Sequence, residues 1–195
     1  MSPTYDPRTA LVVVDVQNDF ADQSGSLFVA GGPDVVRRAN EEAGRAAAAG
    51  ALVVYTQDWH PEHTPHFAKD GGTWPDHCVA GTWGAELHPG LEVRGPVVHK
   101  GVSGEDGYSG FTVRHPTTGE TAPTGLEALL REHGIERLVV LGLATDYCVL
   151  ETVTDARMLG FAVEVPADAI RAVDLEDGDG ERAIVRMRDA GADVA

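Results

Sequence analysis

The stretch LVVLGLATDYCV, residues 138–149, joins a short apolar run to a polar turn and a cysteine. The run Leu138–Leu141 shows no polar alternation, which predicts a strand covered on both faces, as in a parallel sheet. A helical pattern then extends from about Asp146 to Leu159 and stops at Gly160. The stretch therefore predicts a strand–helix unit of an α/β protein, with Cys148 near the start of the helix.

The same alternation of strand and helix recurs on both sides of this unit. Further apolar runs of strand length are Leu11–Val14, Ala51–Tyr55, Pro96–His99, Phe161–Val165 and Ala192–Ala195. Further helical patterns that end at or near a glycine are Pro33–Ala49, Thr124–His133 and Gly180–Asp189. We expect one doubly wound α/β domain over residues 1–195. Residues 56–95 are the exception, because they are rich in His, Pro, Gly and Trp, which predicts a long functional loop.

Bulk composition narrows the classes of partner. The 195-residue chain has 15 Lys and Arg against 31 Asp and Glu, a formal charge of -16, which argues against binding to nucleic acid or to an anionic membrane. It has no apolar run long enough to span a membrane and no signal-peptide pattern. Two cysteines without such a signal do not indicate a disulfide scaffold, so we expect a cytoplasmic protein. Formation of a homo-oligomer stays open.

Reactive side chains follow several of the predicted strands. Asp15 follows the first strand, Lys100 the third and Cys148 the fourth. Ligands of open α/β sheets bind beyond the carboxyl ends of the strands, so these side chains should meet at one edge. There the carboxylate of Asp15 can take the proton of the Cys148 thiol. The start of a helix also favours the thiolate form of a cysteine. Each residue also has a plainer interpretation, as a loop cap, a surface lysine or a small buried apolar side chain.

A candidate set of metal ligands follows the second predicted strand. Asp58 and His60 come directly after it, and His63, His66 and His77 lie further along the loop. Carboxylate and imidazole together suit zinc, manganese or iron. Ordinary polar loop residues would show the same composition. We expect one divalent metal ion, with zinc as first choice and manganese or iron as alternatives.

Taken in order, the motifs of the chain resemble those of the nicotinamidase branch of the isochorismatase-like cysteine hydrolases. The matching segments are DVQNDF at 15–20, GSL at 25–27, DWH at 58–60, HF at 66–67, WPDHCVAGT at 74–82, KG at 100–101, YSGF at 108–111 and GLATDYCV at 142–149. The resemblance spans nearly the whole chain. It implies a six-stranded parallel sheet in the order 3-2-1-4-5-6, with helices on both faces.

The resemblance also implies roles for individual residues. The catalytic triad falls on Asp15, Lys100 and Cys148. The oxyanion hole falls on the backbone amides of Ala144 and Cys148, beside a cis peptide between Leu143 and Ala144. The metal ligands fall on Asp58, His60 and His77, with His66 where some members have a further ligand. The substrate walls fall on Phe20, Leu27, Trp74, Tyr108, Leu143 and Tyr147.

The activity implied is hydrolysis of the small-molecule amide nicotinamide to nicotinate and ammonia through a cysteine thioester, with the metal holding the pyridine ring. A part in recycling pyridine nucleotides follows from the same resemblance. Tyr147 stands where some relatives carry His, which leaves the substrate preference open. One alternative is a related cysteine amidohydrolase acting on another small amide. Another is a metal-independent isochorismatase-like hydrolase, although such enzymes lack the Asp-x-His pattern with its further His.

Overall fold

A mostly parallel sheet forms the centre of the computed structural model, which describes residues 3–195. The strands are β1 (Thr9–Val14), β2 (Leu52–Asp58), β3 (Val97–Lys100), β4 (Thr112–Arg114), β5 (Thr121–Pro123), β6 (Arg137–Leu143), β7 (Ala162–Val165), β8 (Ile170–Arg171) and β9 (Asp193–Val194). The helices are α1 (Asn18–Ala21), α2 (Gly32–Ala48), α3 (Leu126–Glu132), α4 (Leu150–Met158) and α5 (Asp179–Asp189). The alternation of strand and helix gives the α/β fold that the sequence predicts.

The main sheet runs in the order β3-β2-β1-β6-β7-β9, with every pair parallel. This order matches the predicted six strands in the order 3-2-1-4-5-6. The sheet has a seventh strand, the two-residue β8, which pairs with the end of β6 beside this path. A segment of two residues leaves no periodic pattern, so the sequence could not indicate it.

The central strands are apolar because helices and loops cover them on both sides. All six residues of β1 are buried, and β6 is buried from Leu138 to its end. Helix α2 packs along β1, β2 and β6, whereas α4 packs on β7 and α5 on β9. Each fully buried Val or Leu of these strands contributes roughly 1.5–3 kcal/mol relative to an exposed position.

Two local features differ from the sequence prediction. The antiparallel pair β4–β5 was not expected, because its residues are mostly exposed and form no apolar run. The helix expected from about Asp146 begins instead as a π-helical turn at Thr145–Val149, which continues into α4. Among the residues described, no helix combines the length and the apolar character needed to cross a membrane.

The strand order brings the expected reactive residues together. Strands β3, β2, β1 and β6 are consecutive neighbours, and their carboxyl ends lie at the same edge of the sheet. In the register of β2 with β3, Asp58 pairs directly with Lys100. In the register of β1 with β6, Val14 pairs with Gly142, so Asp15 lies next to the loop that leads to Cys148.

Candidate active site

A buried lysine bridges two buried carboxylates at this edge. The Nζ atom of Lys100 lies 2.7 Å from Oδ2 of Asp15 and 2.8 Å from Oδ1 of Asp58, and all three side chains are almost fully buried. Nζ also donates a hydrogen bond to the carbonyl oxygen of Gly107. Burial alone would lower the pKa of Lys100, but the two carboxylates outweigh it and raise the pKa well above the ordinary value. Lys100 is therefore a permanent cation within the site.

Asp15 has the properties of a general base. Burial raises its pKa to about 6, against the opposing effect of Lys100 and with a further increase from Asp58. Thr56 donates a hydrogen bond of 2.6 Å from its hydroxyl to Oδ1 of Asp15 and accepts one of 3.2 Å from the Asp15 amide. These bonds fix the orientation of the carboxylate. A carboxyl group with a pKa near neutrality can both take and return a proton at physiological pH.

Cys148 lies beside this base, in the π-helical turn. Its sulfur and one carboxylate oxygen from each of Asp15 and Asp58 lie within 4.8 Å of one another. Burial raises the pKa of the Cys148 thiol well above its ordinary value. This effect outweighs the tendency of a helix start to favour the thiolate form. The resting residue is therefore a neutral thiol that needs a base. The peptide bond from Leu143 to Ala144 is cis, as the family resemblance implied.

Three buried histidines form a second cluster next to the first. One ring nitrogen from each of His60, His66 and His77 lies within 4.8 Å of the others. Within residues 3–195, neither ring nitrogen of His60 has a hydrogen-bond partner in the protein, an arrangement that is rare for buried polar atoms unless an ion or a water molecule is bound there. Oδ2 of Asp58 lies 3.8 Å from Nε2 of His60, so the carboxylate adjoins the cluster.

The lowered pKa values of His66 and His77 suit metal ligands. Burial, together with the neighbouring imidazoles, lowers the pKa of His66 to about 3, and burial also lowers the pKa of His77. Nδ1 of His77 lies 2.8 Å from the carbonyl oxygen of Pro75, which leaves Nε2 with a free lone pair. Neutral imidazoles with one carboxylate are the donors that zinc, manganese and iron accept, so the residues fit such an ion. His63 lies apart, exposed and paired with Asp70.

Both clusters open into one pocket of about 440 Å³, mouth included. Its lining residues are Phe20, Leu27, Val29, Asp58, His66, Trp74, His77, Asp106, Tyr108, Ala144, Tyr147, Cys148 and Val173. Of the six expected wall residues, Leu143 is the exception: it is fully buried at the end of β6 and belongs to the hydrophobic core. Val29, Asp106 and Val173 were not expected, since no motif distinguishes these loop residues in the sequence.

The aromatic walls of the pocket hold one another in place. Nε1 of Trp74 donates a hydrogen bond of 2.8 Å to the hydroxyl of Tyr108. The ring of Trp74 meets that of Tyr147 edge-on, with 4.9 Å between centroids. His66 makes an edge contact with Tyr108, with 5.6 Å between centroids. Such mutually supported rings form a rigid slot of the kind that takes a small flat ligand.

Sequence reasoning missed the polar residues that support the site. Thr56 precedes Asp58 by two positions, and Gln17 and Asp19 lie within the DVQNDF segment. For Gln17 and Asp19 the available signal was their place in the DVQNDF segment, whereas Thr56 lies outside the matching segments. What each one contacts is a matter of tertiary structure.

Comparison with known proteins agrees with this geometry. The isochorismatase domain family matches residues 9–195. The nicotinamidase of Escherichia coli (strain K12) is 39% identical over 204 aligned positions, covering 95% of this chain and 93% of that protein. The nicotinamidase/pyrazinamidase of Mycobacterium tuberculosis is 38% identical and covers 84% of this chain and 87% of that protein.

Solved structures show the same fold. PnC1 from L. infantum, crystallised in complex with nicotinate, superposes with a TM-score of 0.89 and 36% identity, covering 100% of this chain and 96% of that one. The pyrazinamidase of Pyrococcus horikoshii in complex with zinc superposes with a TM-score of 0.85 and 36% identity, covering 97% and 99%.

Proposed function

Because this chain belongs to the isochorismatase family, we propose that residues 1–195 act as a single catalytic domain that hydrolyses nicotinamide to nicotinate and ammonia. The observation that carries the proposal is the shared pocket. Its lining brings the thiol of Cys148 together with His66 and His77, between aromatic walls. A flat heteroaromatic amide can place its ring against the histidines and its carboxamide at the thiol.

Proton transfer between Asp15 and Cys148 starts the proposed reaction. Asp15 takes the thiol proton as the sulfur attacks the carboxamide carbon, which is necessary because the resting thiol is neutral. The amides of Ala144 and Cys148 stabilise the oxyanion, a contribution of roughly 2.7–4 kcal/mol per donor in comparable hydrolases. Asp15 then protonates the departing ammonia, which leaves a thioester.

Asp15 also acts as the base in the hydrolysis of the thioester. Asp15 takes a proton from water, the hydroxide attacks the thioester carbon, and the proton returns to the sulfur as nicotinate leaves. Lys100 holds the Asp15 carboxylate through the 2.7 Å ion pair and keeps the cluster from carrying two uncompensated negative charges.

Asp58, His60, His66 and His77 are the residues that would hold a divalent metal ion, with zinc our first choice among zinc, manganese and iron. When bound, such an ion supplies a Lewis-acid site for the pyridine nitrogen of the substrate. The pyrazinamidase of Pyrococcus horikoshii, which was crystallised with zinc, supports this assignment. Phe20, Trp74 and Tyr108 then confine the ring from the sides.

The deciding experiment measures ammonia release from nicotinamide by the metal-loaded protein. Cys148→Ala and a chelator-treated sample serve as controls. We expect release that requires both the thiol and the metal. Substantial turnover by Cys148→Ala would refute the assignment of the nucleophile.

Absence of turnover by the intact protein would refute nicotinamide as the substrate. The same assay with pyrazine carboxamide and other small amides would then test whether the protein is a related amidohydrolase. The buried histidine cluster argues against a metal-independent hydrolase. Full turnover in the chelator-treated sample would instead show that the hydrolysis does not need the metal.

A further inference from the structure

The side chain of Gln17 forms hydrogen bonds with both backbone groups of Asp58, a candidate metal ligand. Its Nε2 donates hydrogen bonds of 2.8 Å to the carbonyl oxygens of Asp58 and Ala85. Its Oε1 accepts a hydrogen bond of 2.9 Å from the Asp58 amide. Gln17 is fully buried, so no water replaces these bonds if they break. Gln17 therefore bonds both the amide and the carbonyl group of Asp58, in addition to the pairing of Asp58 with Lys100 in the sheet.

Asp19 makes an equivalent attachment to the segment that carries His77. Oδ2 of Asp19 accepts a hydrogen bond of 2.7 Å from the amide of Cys78, the residue after His77. Its Oδ1 accepts one of 3.0 Å from Ser26, which precedes the pocket residue Leu27. Gly84 permits this arrangement, because a Cβ atom there would lie only 2.1 Å from Oδ2 of Asp19.

The two ligand segments are also bonded to each other. The amide of His60 donates to the carbonyl oxygen of Cys78 at 3.0 Å, and the amide of Ala80 donates to the carbonyl oxygen of His60 at 2.8 Å. These bonds form a short parallel bridge between His60 and Val79. Gln17 and Asp19, two residues apart at the start of α1, therefore attach to opposite members of one bonded pair of segments.

We propose that Gln17 and Asp19 are positioning residues that preassemble the metal site, by holding the backbone of the segments that carry Asp58, His60 and His77. The inference rests on the metal site of the proposed function and extends it to side chains that do not touch the ion. Ligand nitrogens already held within 4.8 Å of one another need little ordering when an ion binds. Loss of either attachment leaves the ligands in place but less well ordered, which weakens metal affinity.

The test measures the dissociation constant of Zn²⁺ for metal-free full-length protein, by competition with a chromophoric chelator. Gln17→Met keeps the side-chain length and removes all three hydrogen bonds. Asp19→Asn keeps the shape and replaces one acceptor with a donor that faces an amide. Asn40→Leu is the matched control, since Asn40 likewise bonds a loop backbone from both sides, at Gly90 (2.8 Å) and Glu92 (2.7 Å), outside the pocket.

We expect Gln17→Met and Asp19→Asn each to raise the dissociation constant about ten-fold or more, the range found when supporting residues of metal sites are removed. Asn40→Leu should leave it unchanged. Thermal unfolding of the metal-free variants separates stability from affinity. If Gln17→Met lowers the melting temperature but binds Zn²⁺ as the wild type does, its role is only structural and the proposal is wrong.

Asp19→Asn keeps the proposal testable if Gln17→Met fails to fold, and unchanged affinity in that variant would overturn it equally. Suppose that the wild type binds Zn²⁺ and releases ammonia, and that both variants bind Zn²⁺ with the affinity of the wild type. That result would overturn this inference and leave the proposed function intact. A wild-type protein that binds no Zn²⁺, Mn²⁺ or Fe²⁺ would overturn both.

Discussion

Replacing Lys100 with methionine tests whether the centre of the site is a dry, charge-balanced cluster. Methionine keeps much of the buried volume but removes the ammonium that lies 2.7 Å from Asp15 and 2.8 Å from Asp58. Two buried carboxylates then face each other without a cation. We therefore expect a large loss of stability, even though only one charge is removed.

The size of the loss follows from the burial of all three groups. Removing one partner of a buried ion pair typically destabilises a protein by about 3–5 kcal/mol. Small proteins lose about 1–3 kcal/mol of stability per molar urea, so a slope of about 2 predicts a fall in the urea midpoint of roughly 2 M. The deficit should narrow as the pH falls, because protonation of Asp15 relieves the repulsion. This narrowing should begin above pH 6, since Lys100 lowers the pKa of Asp15 in the wild type and its loss lets that pKa rise.

The assay is urea unfolding of chelator-treated protein at neutral pH, so that no ion compensates for the lost cation. Lys69→Met is the matched control, because Lys69 pairs with Asp76 at 2.5 Å but both side chains are partly exposed. Such a surface pair contributes little to stability, because water and salt screen its charges. Adding Asp15→Asn to Lys100→Met should recover part of the loss by removing one uncompensated charge.

The reasoning fails if Lys100→Met shifts the midpoint no further than Lys69→Met does. It also fails if Asp15→Asn makes the Lys100 variant less stable instead of more stable, because the destabilisation would then not come from buried like charges.

Three further results follow from the site. The ratio kcat/KM for nicotinamide should rise with pH through about 6, because the base Asp15 must lose its proton, and a rate that is constant across this region would contradict its role. Thr56→Val should move that rise upward by about one pH unit, since it removes a 2.6 Å hydrogen bond that favours the ionised carboxylate, whereas Thr56→Ser should restore it. Trp74→Phe should raise KM about five-fold with little change in kcat, because it removes the hydrogen bond to Tyr108; initial-rate kinetics would show a fall in kcat instead if Trp74 acted in the chemical step.

Much of the fold could be predicted because the central strands are buried on both faces. The runs Leu11–Val14 and Leu138–Leu141 carry this burial as unbroken apolar sequence, and the observed strand order agrees with the one that the family resemblance implied. The pair β4–β5 and the strand β8 could not be predicted, since they are short and have little apolar pattern.

The sequence by itself determined which reactive groups exist and that parallel strands deliver them to one edge, because Asp15, Asp58, Lys100 and the turn to Cys148 each come at or after a strand end. Only the tertiary structure decided their electrostatics and their support. Burial raises the pKa of the Cys148 thiol, although its position near a helix start suggested the opposite. Gln17 meets Asp58 across 41 positions of sequence, and no local pattern specifies such a contact. Desolvation and long-range hydrogen bonds depend on which segments pack together, and that is a property of the folded chain.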